Sequence, residues 1–352
     1  MVKRIRFFQK NRRNSEMNVG ILGAGSWGTA LSILLSGNGH NVTVWSIDPE
    51  EILMLKDYRE QRFKLPGVII PSTVQFTIDL ETALKDAELV VCAVPSTFVR
   101  TTMKNASAYI KAGTIVVDVA KGIEDKTYKT MTKIIEEECP QARSGILSGP
   151  SHAEEVGRGI PTTVVAGSKD RTVAETIQDV FMNEYFRVYT SSDVIGIELG
   201  GSLKNVIALA AGIVDGLGYG DNTKAALMTR GIAEISRLVT AMGGNIETVA
   251  GLSGIGDLIV TCTSKHSRNH NAGVLIGQGK NYHEAMDEVK MVVEGVYSAK
   301  AAAELGSRYN VSMPIVESVN RVLFEDANAK EEALGLLLRD RTLESDSVGW
   351  ES

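Results

Sequence analysis

Cysteine is scarce in this chain. Its 352 residues include three, Cys92, Cys139 and Cys262, an odd number whose spacing matches no metal-binding or redox pattern. Reduced thiols in a reducing cytosol account for them, and Cys92, inside an apolar run, reads as core. No apolar run has the length to span a bilayer, and none of secretory length follows the N-terminus. There is no Pro/Gly-rich linker between the halves of the chain and no internal repeat. Nothing resembles a metal site, a nucleophilic triad or a nucleic-acid surface, and His40 and His283 read as turn or surface residues. Positive charge is in deficit: the formal net charge is −6, so the protein as a whole does not seek nucleic acid or anionic membranes. An anionic substrate would need a local cluster of basic groups.

What is present is the balance of a soluble globular protein, 43% hydrophobic and 23% charged, with enough length for two domains. Residues 1–16 stand apart. Lys3, Arg4, Arg6, Lys10, Arg12 and Arg13 crowd around Phe7 and Phe8. A targeting or anchoring arm is one reading; a disordered, dispensable basic leader before a folded unit starting near Met17 is the simpler one.

From Asn18 the pattern is strand, glycine turn, helix, strand, the opening of a βαβ unit. Further apolar strands are expected over 89–94, 114–119, 146–147, 162–165 and 186–189, with helices between most of them, for example over 128–138 and 171–181. Such an alternation predicts a parallel sheet covered on both faces. After about Ser192 only helical periodicity remains, over 195–214, 223–242, 272–276, 297–305 and 314–324. The fold class is therefore α/β: an N-terminal Rossmann-type doubly wound parallel sheet, residues 17–190, followed by an all-α C-terminal domain, residues 191–342. A frayed charged tail is expected over 343–352.

Gly23, Gly25 and Gly28 form G-x-G-x-x-G after a strand and at the start of a helix, with Asp48 at the end of the second strand. Gly23 permits the tight turn, Gly25 the approach of a pyrophosphate, and Gly28 the close packing of helix on strand. A carboxylate at Asp48 accepts from the ribose hydroxyls of NAD and repels the 2′-phosphate of NADP. Its bland alternative is a turn aspartate before Pro49.

Ligands of a doubly wound sheet lie outside the carboxyl ends of its strands. Val94-Pro95-Ser96, Ala120-Lys121-Gly122 and the run Ser148 to Glu154 are such ends. Lys121 taken alone reads as a surface lysine, and Ser151 with Glu154 as a capping box. In the helical half, Lys204 shares a helix face with Gly200, Ile207 and Ala208. Desolvation there would lower its pKa toward a value useful for proton transfer; a lysine snorkelling to solvent is the alternative. Asp257 follows Gly254-Ile-Gly as an N-cap or a site residue. Thr261 to Asn269 offers hydroxyls, an ammonium, a guanidinium and an amide, suited to a phosphate or to capping its own helix.

The blocks Gly-Ala-Gly-Ser-Trp-Gly-Thr-Ala, Ala-Lys-Gly, Leu-Ser-Gly-Pro-Ser-His-Ala-Glu-Glu, Leu-Lys-Asn, Gly-Asp-Leu-Ile-Val-Thr-Cys-Thr-Ser, His-Ser-Arg-Asn and Val-Val-Glu-Gly-Val occur in this order. With them the chain, from about Met17 to Thr342, closely resembles bacterial NAD(P)-dependent glycerol-3-phosphate dehydrogenases. The resemblance implies reversible hydride transfer between NAD(P)H and dihydroxyacetone phosphate, giving sn-glycerol 3-phosphate for glycerophospholipid synthesis in the cytoplasm. It implies that Ser26 and Trp27 line the cofactor with the glycines, Ala153 lies beside it, and Lys121 touches cofactor and substrate. Gly149, Ser151, Asp257, Ser267, Arg268 and Asn269 would hold substrate, with Lys204 as proton donor and acceptor. Arg268, Val292 and Glu294 would meet the cofactor from the helical domain. NADPH-using members often place histidine or arginine where this chain has Ile47 and Asp48, which favours NAD and leaves NADP open. No metal, nucleic-acid partner or membrane span is implied, and a homodimer is compatible. A 6-phosphogluconate-like dehydrogenase and a nucleotide sensor without turnover are the rival readings.

Overall fold

The strands form where the sequence runs apolar without interruption. In β1 (Asn18–Leu22) every residue after Asn18 is buried, as a strand covered on both faces must be. The computed structural model describes residues 16–341 and 344; the leader and the tail otherwise lie outside the described residues. After β1 come α1 (Ser26–Gly37), β2 (Asn41–Trp45), α2 (Pro49–Tyr58), a short hairpin of β3 (Glu60–Gln61) and β4 (Leu65–Ile69), and an edge strand β5 (Gln75–Thr77). Next are α3 (Leu80–Leu84), β6 (Leu89–Cys92), α4 (Val99–Ala106), β7 (Ile115–Asp118), α5 (Met131–Glu138) and β8 (Arg143–Ser148). The four-residue α6 (Ala153–Val156), β9 (Thr162–Gly167), α7 (Arg171–Phe181) and β10 (Phe186–Ser191) complete this half.

The sheet order is β10-β9-β8-β7-β6-β1-β2-β5. β1 thus lies between β2 and β6, both parallel to it, and the winding reverses there. This reversal opens a crevice at the carboxyl ends of the strands. The sheet is not parallel throughout: β9 runs antiparallel to β8, with Ser148 opposite Val165, and β10 returns parallel to β9. The link from β8 to β9 holds only α6, too little helix to carry the chain back across the sheet, whereas the eleven-residue α7 does so before β10.

Other local expectations are corrected too. The helix expected from Tyr128 begins at Met131, because Lys126 and Tyr128 have left-handed backbones, φ 68° and 58°. His40 is buried, not superficial: its Nδ1 accepts from the Met17 amide, and Nε2 lies 3.2 Å from the Val180 carbonyl. Burial lowers its pKa.

The second half is helical: α8 (Val194–Gly216), α9 (Asp221–Ala241), α10 (Ile246–Val249), α11 (Asp257–Thr263), α12 (Arg268–Gly277), α13 (Tyr282–Val289), α14 (Glu294–Arg308), α15 (Pro314–Phe324) and α16 (Ala329–Leu337). A π-turn, Leu252–Gly256, leads into α11. α8 is apolar all round and is the central post against which α9, α12 and α14 pack. By length and composition it could cross a membrane, as could Ile246–Thr263, which corrects the expectation that no run is long enough. For α8 the apolar surface is met by protein: 89% of the apolar window is buried.

α8 and α12 touch backbone to backbone. A Cβ on Gly212 would lie 2.0 Å from the His270 carbonyl oxygen, and one on Gly216 2.2 Å from that of Val274. Reciprocally, a Cβ on Gly273 would lie 2.1 Å from the Leu209 oxygen, and one on Gly277 2.3 Å from that of Ile213. Carbonyls cannot move aside as flexible side-chain ends do, so any side chain here forces the helices apart. Gly273→Ala should therefore destabilise the fold by on the order of 1–3 kcal/mol, read from the denaturant midpoint. An unchanged midpoint would show that the seam has slack.

Candidate active site

The glycine turn after β1 is held by sterics. Gly23 takes φ 115° and its N–H donates to the Trp45 carbonyl at 2.8 Å. A Cβ on Gly28 would lie 2.0 Å from the Gly23 oxygen, so α1 can sit this close only with glycine there. Gly25 is different: a Cβ there meets nothing within 4 Å. No protein contact demands glycine at Gly25, yet a ligand approaching the backbone would. Gly25 is also the N-cap of α1 and supplies no side-chain cap, so the first N–H groups of the helix, at Ser26 and Trp27, suit an anion. These features fit a dinucleotide pyrophosphate.

Asp48 stands at the end of β2, exposed, and caps α2 by accepting from the Glu50 N–H at 2.9 Å. The bland capping role is thus real, and it also presents the carboxylate at the crevice mouth. Ile47 and Phe98, 81% and 57% exposed, follow the ends of the two strands that flank β1. Ile47 enters the sequence reading only beside Asp48, where NADPH-using members often place histidine or arginine, and Phe98 has no part in it.

Across the crevice, charges from both halves meet. Asp257, buried at the start of α11, accepts from Lys204 Nζ at 2.8 Å on Oδ1 and from Lys121 Nζ at 2.6 Å on Oδ2. Lys204 also lies 2.6 Å from Thr261 Oγ1, one helical turn beyond Asp257, and Lys121 donates to the Gly149 carbonyl at 3.1 Å. Lys204 is therefore buried rather than snorkelling, and Lys121 is half-buried and paired rather than extended into solvent. Burial pulls the Lys204 pKa down to about 8; Asp257 opposes the fall, and Lys121 adds to it. Burial alone would raise the Asp257 carboxyl, but the two ammonium groups outweigh it and hold it below its ordinary range.

Ser151 Oγ donates to the Gly149 carbonyl at 2.9 Å. It does not form the expected capping box, because α6 begins at Ala153 with His152 as N-cap and no side-chain cap. Ser267 does cap its helix, accepting from the His270 N–H at 3.2 Å. Arg268, the first residue of α12, makes no hydrogen bond or ion pair among the described residues. Burial lowers its pKa, with Glu294 and Glu154 opposing.

Asn269 faces inward: its Nδ2 donates to Asn205 Oδ1 at 2.9 Å, and its Oδ1 accepts from the Gly295 N–H at 2.8 Å. Asn205 in turn reaches the Lys121 carbonyl at 3.4 Å, and Ser202 Oγ donates to that of Gly122 at 3.1 Å. Glu294 accepts from the Ser96 N–H at 3.1 Å and Oγ at 2.5 Å, drawing the start of α14 onto the loop after β6. Val292 lies just before it, half-buried. The sequence marks Thr261, Ser96 and His152 only as members of longer runs, and Asn205 only as part of a motif block, with no individual role. The His152 ring packs 5.9 Å from that of His266, and burial, then Lys204, lowers its pKa.

Comparison with known proteins bears on the whole chain. The N-terminal domain model of NAD-dependent glycerol-3-phosphate dehydrogenase matches residues 18–174, and the C-terminal one residues 193–333. A glycerol-3-phosphate dehydrogenase (NAD(P)+) of Agathobacter rectalis is 61% identical over 94% of this chain and 99% of its own length. That of Fusobacterium nucleatum is 54% identical over 94% of this chain and 99% of its own. The crystal structure of glycerol-3-phosphate dehydrogenase from Coxiella burnetii superposes with a TM-score of 0.89 at 34% identity, covering 92% of this chain and 99% of that one. With both domain models matched in order and relatives this similar along nearly all its length, the chain belongs to the NAD-dependent glycerol-3-phosphate dehydrogenase family.

Proposed function

We propose that the chain interconverts dihydroxyacetone phosphate and sn-glycerol 3-phosphate, with Lys204 as its proton-transfer group. The observation that carries this is the buried Lys204–Asp257–Lys121 cluster at the carboxyl end of β7, on the same side of the sheet as the glycine turn after β1. A nicotinamide dinucleotide, held by the glycine turn, Ser26, Trp27, Asp48 and Ala153, with Lys121, Arg268, Val292 and Glu294 opposite, supplies or accepts hydride when bound. Lys204 handles the proton at the C2 oxygen. As an ammonium it donates during reduction of the ketone; as a free amine it accepts from the alcohol during oxidation. Asp257 fixes the direction of the Lys204 side chain and stabilises its charged form. Lys121 brings a second positive charge to the oxygen end. The unpaired guanidinium of Arg268, with Ser267 and Asn269 behind it, is suited to the phosphate, while Gly149 and Ser151 line the reacting end.

The reading extends to NAD over NADP, on Asp48, and to the cytoplasm, where its three buried free cysteines stay reduced. Its product would feed glycerophospholipid synthesis.

Replacing Lys204 by methionine keeps the apolar stem, so folding and NADH binding should survive while kcat falls at least about a hundredfold. Arg268→Ala should mainly raise KM for the phosphorylated substrate. If Lys204→Met keeps kcat and raises only KM, Lys204 binds and does not transfer the proton.

A lysine with pKa about 8 also fixes the sign of the pH dependence. Reduction needs the protonated form, so its kcat should be full below that value and fall as pH rises through it. Oxidation should rise over the same span. Profiles flat across one unit on either side in both directions would remove Lys204 from the proton path.

For the nucleotide, the wild type should favour NADH by kcat/KM, and Asp48→Arg should shift preference toward NADPH. A wild type that favours NADPH overturns the role given to Asp48.

A further inference from the structure

Behind Asp48 lies a carboxylate that reaches no ligand position of its own but gathers three elements. Glu51, in the first turn of α2, has a side chain only 9% exposed. Its Oε2 accepts from Ser46 Oγ at 2.7 Å, and the same Ser46 Oγ accepts from the Asp48 N–H at 3.2 Å. Its Oε1 accepts from Gln61 Nε2 at 2.8 Å and from Lys64 Nζ at 2.6 Å. Gln61 is buried in the β3–β4 hairpin and donates as well to the Ala24 carbonyl, inside the glycine turn, at 2.9 Å. Glu51 therefore joins the end of β2, the glycine turn and the hairpin, and it neutralises the one lysine that the hairpin brings to this end of the crevice. Lys64 is 43% exposed, so its side chain stays open to solvent while its charge is balanced.

We propose that Glu51 is a specificity-determining residue for the nucleotide: by pairing with Lys64 it withholds a cation that would otherwise receive a phosphate on the adenosine ribose. This rests on the assignment of the ribose end to Asp48. The local charge decides the outcome. The Glu51–Lys64 pair sums to zero, which leaves Asp48 to repel a 2′-phosphate. Without the Glu51 charge, Lys64 is an ammonium freed of its partner on the hairpin packed against α2, and a dianionic phosphate at the Asp48 end gains a partner. Without the Lys64 charge, Glu51 adds its repulsion to that of Asp48.

Three variants of the full chain separate these terms: Glu51→Gln, Lys64→Met and the double variant, each assayed with dihydroxyacetone phosphate and either NADH or NADPH. The readout is the NADPH-to-NADH ratio of kcat/KM relative to wild type. Glu51→Gln should raise the ratio by about threefold or more, the order of one partly exposed charge contact, through KM rather than kcat. Lys64→Met should lower it, and the double variant should return it to near the wild-type value. A ratio unmoved in Glu51→Gln, or a rise that persists in the double variant, overturns the proposal, because Glu51 would then act only by shaping the loop. Should Glu51→Gln fail to fold, Lys64→Met decides alone: a ratio that does not fall is fatal. These outcomes are changes relative to wild type, so they stay readable even if the wild type prefers NADPH and the role of Asp48 fails.

Discussion

One carboxylate holds the two halves of the molecule together at their chemical centre. Asp257 takes an ammonium on each oxygen, Lys121 from the loop after β7 and Lys204 from α8. Burying any one of these charges alone would cost several kcal/mol, and together they are tolerable only while the geometry holds. Two lysines against one aspartate leave a surplus positive charge in the interior. A chain of net charge −6 thus keeps a small cationic hollow inside an acidic exterior. That hollow is what an anionic phosphoester needs, and it exists because the surplus is enclosed rather than spread over the surface.

Further hydrogen bonds cross at the carboxyl ends of the strands, and Glu294 takes two of them from Ser96. Ser202 and Asn205 fasten α8 to the carbonyls of Gly122 and Lys121, Asn269 continues the line to Gly295, and Glu294 reaches back to Ser96. Most groups suited to touching ligand therefore also bear on domain placement. Their chemistry and their mechanics cannot be separated by position alone, only by which kinetic constant responds.

Much of this was legible in the sequence. The glycine turn, the apolar strands around it and the small, apolar face of Lys204 are local patterns, and local patterns survive folding. What escaped depends on partners far along the chain. Asn205 looked idle because its partners lie 84 and 64 residues away. From its residues alone Asp257 stays open between helix cap and site residue, because Gly-Ile-Gly-Asp gives no hint of two lysines. The β3–β4 hairpin, with Pro66 and Gly67 inside it, carries no strand pattern in the sequence. The antiparallel β9 followed from the shortness of α6, which a period-based reading does not weigh. Ser151 and Glu154 matched a capping pattern, but the helix starts too late to use it.

The seam of Gly212, Gly216, Gly273 and Gly277 bears on how the site measures its substrate. Lys204 rides on α8, and Arg268 opens α12, so the gap between the nitrogen to which we assign the proton and the guanidinium to which we assign the phosphate is tied to the distance between those two helices. Where helices meet through leucines or methionines, that distance breathes as rotamers exchange. Here the meeting surfaces are main chain, which has no rotamers, so the gap is gauged by van der Waals radii. The molecule carries a fixed caliper at its centre, and a carbon skeleton one bond too long or too short has no soft joint through which to be accommodated.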